Sequence, residues 1–323
     1  MVSSADICID IRSTVTDINR DLAATLKTCG PAILLLPPQE GSSGPNTDAK
    51  NNVINEITTT LLSILNKNHA CQRDMGEFDD DDAGADSLDE SSEYDWLVIE
   101  TALDAIVCLS AALGPTFANL WPTFSKSVLK FVSSQESAER SAAVGSVADC
   151  IGNMGEAVSP FTGPLMKVLV HRLTDSDPET KANATYATGL LIEKSGNEKE
   201  VMSSLGAVLG KLEPMLGADG RVLDNAAGCV SRIVGRYPQR VPLDDVLPRL
   251  VEILPLREDF EENKAVWGMI IQLYQRSNPT IGNLTPQIMP ALEKVLGPPE
   301  EQLDAELRGQ LMELVKYIHS RSK

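Results

Sequence analysis

The chain has 323 residues, 42% hydrophobic but only 4% aromatic, with 28 basic against 46 acidic side chains and a formal net charge of −18. Leu, Val, Ile and Ala must therefore fill the core, a mix that favours helices over strands. So acidic a chain is a poor direct ligand for nucleic-acid phosphates or an anionic membrane, and a suitable one for something basic.

No stretch reads as a run of roughly 18 apolar residues. The opening MVSSAD lacks the charged and apolar regions of a signal peptide. The six cysteines, Cys8, Cys29, Cys71, Cys108, Cys150 and Cys229, form no C-x-x-C pair and fall at apolar helical positions. They read as reduced, buried thiols of a cytosolic or nuclear protein, in which the sequons at Asn183 and Asn283 carry no meaning.

In chain order, the pattern predicts an unpaired helix over 4–29, a loop over 37–48 and a helix over 49–68. An acidic insert follows over 74–95, then a helix from 95 to 113. Beyond it a repeat sets in. Pro122, Pro164, Pro248 and Pro290 are spaced by 42, 84 and 42 residues, and Gly206 fills the missing place. Two positions on stand Phe124, Met166, Val208, Leu250 and Leu292; six positions on stand Val128, Val170, Leu212, Leu254 and Leu296. Each mark begins or lies just inside a helix-period apolar segment, since proline is tolerated in a first turn. A second helix follows each, over 136–154, 178–195, 221–236, 258–277 and 301–319. Turns such as Ser133-Ser-Gln and Gly297-Pro-Pro separate them, and Cys108 and Cys150 lie 42 apart on successive second helices.

Helix pairs of about 40–47 residues have the HEAT/armadillo period, and such pairs bury their apolar faces only by stacking. The fold class predicted is an all-α HEAT-repeat superhelical solenoid over 1–323, of about six antiparallel helix pairs plus the leading helix. Because that helix lacks a partner, the chain reads as the C-terminal part of a longer solenoid.

The proline-headed pairs, the phrase LKTCGP at 26–31 and the acidic insert within one repeat resemble the C-terminal third of an importin-β-type karyopherin, most of all the importin four subfamily. The resemblance covers the whole chain. It implies a nuclear import receptor that shuttles between cytoplasm and nucleus and carries core histones or ribosomal proteins. It also implies that Ran is held by N-terminal repeats outside this sequence, and that the protein is monomeric. The alternative is a HEAT scaffold outside transport, serving a multiprotein complex.

Nothing in the sequence calls for a cofactor, a metal or catalysis. His69, His171 and His319 are scattered with no partner placed for acid–base work, and there is no P-loop, nucleophile elbow or zinc spacing. The acidic insert carries eleven carboxylates and no Lys or Arg from Asp74 to Asp95, with Asp79, Asp80, Asp81 and Asp82 consecutive. It is expected to be disordered, either as a solvated loop, or as a counterion for a basic partner or a mobile lid over the concave groove.

The second helices carry a second candidate array. Asn183 and Asn225 are 42 apart, Asn263 follows after 38, and Trp267 lies one turn beyond Asn263 on the same face. In a concave groove, asparagine amides would bond an extended peptide's backbone, and the Trp face would take a Lys stem. Asp224, Glu261 and Glu262 would meet the ammonium heads, with Glu100, Asp104, Asp149 and Glu179 on neighbouring second helices. The same asparagines also fit a structural ladder tying repeat to repeat, and the carboxylates fit helix capping.

Overall fold

The computed structural model describes residues 4–30, 47–72, 85–299 and 302–321. Every regular element among them is an α- or 3-10 helix. They form two compact units, 1–158 and 159–323.

In the first unit, α1 (Ser4–Cys29), α3 (Ala85–Leu113) and α5 (Ser137–Met154) pack in one row. α2 (Thr47–Leu65) packs on α4 (Trp121–Val132) in a second row. The leading helix thus lies where the second helix of a preceding pair would lie. Asn19 Nδ2 donates to Thr101 Oγ1 at 3.2 Å and binds α1 to α3, while Asn153 Nδ2 donates to Ser110 Oγ at 2.8 Å and binds α5 to α3. Phe117, Trp121 and Phe124 are buried together, with Phe117 and Phe124 stacked at 6.1 Å.

The expected helix at 95 begins ten residues earlier, at Ala85. The second half of the acidic insert is therefore helical. Asp86, Asp89 and Glu90 fall in its first turns. Asp79, Asp80, Asp81 and Asp82 lie outside the described residues. The stretch Trp96–Asn119 is, by length and hydropathy, apolar enough to cross a membrane, contrary to the sequence reading. Half of it is buried within the fold, in the row between α1 and α5, and that packing accounts for its apolarity.

In the second unit the rows continue the same logic. α7 (Pro178–Lys194), α9 (Gly220–Arg236), α11 (Asn263–Gln275) and α14 (Ala305–Arg321) pack successively. The opposing layer holds α6 (Thr162–Arg172), α8 (Glu198–Leu212), α10 (Leu243–Glu252), α12 (Pro279–Asn283) and α13 (Thr285–Leu296). Two layers of helices with one core between them make each unit a length of HEAT-type solenoid.

The sequence segments these helices for local reasons. Asp177 caps α7 through Oδ2, accepting from the Thr180 amide at 2.8 Å, with Pro178 at the first helical position. Asn197 and Asn278 cap α8 and α12 in the same way. The proline ruler behaves differently from expectation. Pro122 and Pro164 do stand in first turns, but each α-helix is preceded by a 3-10 helix, Gly114–Asn119 and Gly155–Phe161. Pro248 and Pro290 lie inside α10 and α13. Only α8, with Gly206 at the ruler position, runs through that position without a proline. The ruler therefore marks a first turn in α4 and α6 and a helix interior in α10 and α13.

Candidate functional site

The second helices of residues 159–323 bring Glu179, Asn183, Asp224, Asn225 and Asp259 together around one cation from the chain itself. Arg221 donates from Nη1 to Glu179 Oε2 and reaches Asn183 Oδ1 at 3.4 Å and Asp259 Oδ2 at 3.5 Å from Nη2. Beneath it, Asn225 Nδ2 donates to the Arg221 carbonyl and to Asp259 Oδ2, both at 2.9 Å. Asp224 Oδ2 accepts three consecutive backbone N–H groups, those of Arg257, Glu258 and Asp259, at 3.0, 2.7 and 2.9 Å. Asn263 Nδ2 donates across to the Gln302 carbonyl at 3.0 Å.

These bonds correct the groove geometry expected from sequence. Asn225 and Trp267 are 0% exposed, Asn263 1% and Asp224 3%. None of the four faces solvent, and no peptide can lie against Trp267 without unpacking α11. The asparagines tie each repeat to the next, which is the structural ladder that the spacing also allowed. The physical cause is the packing of successive second helices side by side, which closes their first turns against the following inter-helix loop.

Glu262 is also buried, at 0% exposure, and its partner is internal. Its Oε2 accepts from Arg232 Nη1 at 2.5 Å, while Arg232 Nε donates to Glu193 Oε2 at 3.1 Å. The Arg232 guanidinium lies 5.1 Å from the Tyr186 ring centroid. Burial pushes the Glu262 carboxyl up to about 7 despite the opposing pull of Arg232, and Asp259 and Glu261 add repulsion. Glu261 remains exposed at the rim of α11.

In the first unit, Glu100 and Asp104 lie one turn apart on α3, and Asp149 lies on α5. Partial burial raises the Glu100 carboxyl, with Asp104 adding to the rise and Arg20 opposing it. Asp104 is raised by the same desolvation, again against Arg20. Cys108, one turn on, is raised by burial and by both Asp104 and Asp149. Asp104 thus acts on both Glu100 and Cys108, Asp149 of α5 acts on Cys108, and Asp104 and Asp149 are exposed. Charge follows the same division. Residues 1–158 hold 24 acidic and nine basic side chains, and residues 159–323 hold 22 and 19.

Sequence reasoning missed three features. His69 does have a thiol beside it, since its Nδ1 lies 3.0 Å from Sγ of Cys71, two residues on. Cys71 is only 3% exposed, so the pair sits inside the fold. Arg221 carried no signal, because its partners come from distant repeats. The third is a cavity of about 830 Å³ lined by α7, α9, α11 and the start of α14. Its signal, visible only afterwards, is the pair of small residues Gly235 and Gly268 among apolar helical neighbours.

Comparison with known proteins agrees with this architecture. Residues 46–185 match the family model described as "Importin subunit beta-1-like, TPR repeats". The chain is 32% identical over 268 residues, 81% of its length, to "Probable importin subunit beta-4" of Schizosaccharomyces pombe. It is 29% identical over 314 residues, 95% of its length, to "Importin-4" of Homo sapiens. The chain belongs to the importin-β family.

It spans about a quarter of the length of these curated relatives, 25% and 26% respectively. A crystal structure of importin beta superposes on 96% of the chain with a TM-score of 0.62 at 15% identity, covering 39% of that protein. In residues 159–323, the row of second helices that carries the Arg221 network and the cavity is one of the two helix layers. The asparagine ladder belongs to the interior of that row.

Proposed function

We propose that this chain is part of a nuclear transport receptor, moving between cytoplasm and nucleus, that binds basic protein cargo on the face of its second helices. Core histones and ribosomal proteins are the cargo class the charge suits. Ran would engage repeats of the whole receptor outside this sequence. The role is binding and release, which requires no turnover chemistry.

The observation that carries the reading is the placement of Glu100, Asp104 and Asp149 on α3 and α5 of a unit with 24 acidic and nine basic residues, with burial and Asp104 both raising the Glu100 carboxyl. An anion close enough to raise a neighbouring carboxyl also favours an arriving ammonium group. One exposed ion pair contributes about 0.2–1 kcal/mol, and micromolar binding needs roughly 8 kcal/mol. Several such contacts must therefore act together.

The test is a titration with a Lys-rich histone-tail peptide at 100 and 400 mM salt, on the wild type and on the triple variant Glu100→Gln, Asp104→Asn, Asp149→Asn. The variant should bind about tenfold more weakly at low salt and show a flatter salt dependence. Equal binding by both proteins would remove the acidic cluster from the function.

A further inference from the structure

We propose that the cavity on the α7–α9–α11–α14 row is a docking site for an apolar side chain carried by an extended segment of a partner protein. The inference deepens the reading above, because it rests on the second-helix face being where cargo binds. It adds an uncharged anchor to a surface otherwise described by charge.

The floor carries the argument. Gly268 stands mid-way along α11 and lines the cavity, and a β-carbon built on it meets nothing within 4 Å. Gly235 lines it from α9, and its β-carbon would meet only Gln272 Oε1 at 3.8 Å. Neither glycine is demanded by a neighbouring helix, and neither has left-handed backbone. Glycine weakens a helix interior, so an open glycine there keeps a depression at the expense of helix stability. Leu190, Met269 and Leu307 wall that depression with apolar surface.

A second observation is independent of the glycines. Ser231 and Asn263 both line the cavity and are 99% buried, yet Ser231 Oγ and Asn263 Oδ1 have no hydrogen-bond partner. Unpartnered polar atoms inside a fold are uncommon, and functional sites are where they gather.

The rim selects the kind of occupant. Lys194, Arg232, Arg236 and Lys264 line the cavity together with Glu193, Glu261 and Asp304. A lining with four cations and three anions does not suit an unbroken string of lysines. It suits a main chain, which offers N–H and C=O groups alternately, with one side chain directed down over Gly235 and Gly268. A volume of about 830 Å³ falls within the range of about 300–1,000 Å³ usual for ligand clefts.

The test uses two fluorescently labelled nonapeptides, GKGKLKGKG and GKGKSKGKG, of equal charge, titrated against the wild type, Gly268→Leu and Gly206→Leu. Gly206 is a control on α8, away from the cavity, whose β-carbon also meets nothing within 4 Å. The wild type and Gly206→Leu should bind the leucine peptide at least fivefold more tightly than the serine peptide. Gly268→Leu should abolish that preference, leave serine-peptide affinity within twofold, and melt no lower than the wild type. Equal affinity of the wild type for both peptides would overturn the inference while leaving the basic-cargo reading standing. So would a preference that survives in folded Gly268→Leu. Binding of the leucine peptide alone would support the anchor and count against a purely charged interface, whereas binding of neither peptide would overturn both readings.

Discussion

A β-carbon placed on Gly228 of α9 would lie 1.3 Å from Oε2 of Glu262. The carboxylate occupies the space that any other residue would fill, and there it meets Arg232. Glycine is required at this point by close approach, since its backbone is ordinary helix.

Gly228→Ala should accordingly destabilise the protein. Replacing a helical glycine with alanine gains about 1 kcal/mol. Displacing Glu262 breaks a buried pair whose loss costs about 3–5 kcal/mol, because Arg232 keeps a side chain only 8% exposed. The loss wins, by about 2–4 kcal/mol in urea denaturation. An unchanged or higher midpoint would mean that Glu262 can leave at little cost.

Stability should also fall as pH rises toward neutrality. Burial raises the Glu262 carboxyl from 4.5 in the open chain to about 7 in the fold. Between those values the folded state holds a proton that the unfolded state has released, so the slope of stability with pH is negative. The contribution is complete below about 4.5 and is lost as pH climbs through about 7. Comparing midpoints of the wild type and Glu262→Gln from pH 4.5 to 8 isolates it, since the glutamine cannot titrate. Parallel profiles would show that Arg232 keeps Glu262 ionised throughout.

Trp267→Ala should act on folding, not on peptide binding. A fully buried tryptophan truncated to alanine costs about 3–5 kcal/mol. Trp267→Phe should cost less, because it retains most of the ring and removes an indole N–H that has no partner. Melting curves beside a peptide titration of the folded fraction separate the two effects. A peptide affinity that drops with no change in melting would return Trp267 to the binding surface.

Arg221→Ala should strengthen binding of a Lys-rich peptide. Arg221 occupies the position between Glu179, Asn183 and Asp259 that an arriving ammonium would otherwise take. Freeing one partly exposed position is worth about 0.2–1 kcal/mol, up to about fivefold in affinity, and the gain should shrink at high salt. Arg221→Lys should behave as wild type. Weaker binding in Arg221→Ala would show that the ladder needs its cation to hold its shape.

Much of the fold was legible from the amino-acid order. The column Phe124, Met166, Val208, Leu250 and Leu292 is set by a 42-residue period, and a period is a local property that survives without knowledge of neighbours. Caps such as Asp177-Pro178 likewise act within one turn. The early start of α3 was missed because dense carboxylates read both as a solvated loop and as a favourable helix N-terminus. Asp104 and Asp149 each occupy an exposed position on their own helix, which the helical period alone could place.

The sequence by itself determined that this protein is a stack of helix pairs with an acidic excess and a repeated asparagine on its second helices. Only the tertiary structure decided which way those asparagines face. The i, i+4 relation puts Asn263 and Trp267 on one side of α11, but a helix in a stacked row has one side toward the next repeat and another toward solvent, and both satisfy the same periodicity. The choice is made by partners about 30–40 residues away, such as Asp259 for Asn225 and the Gln302 carbonyl for Asn263. Contacts across repeats leave no trace in local spacing, so the side that is buried is known only once the helices have packed.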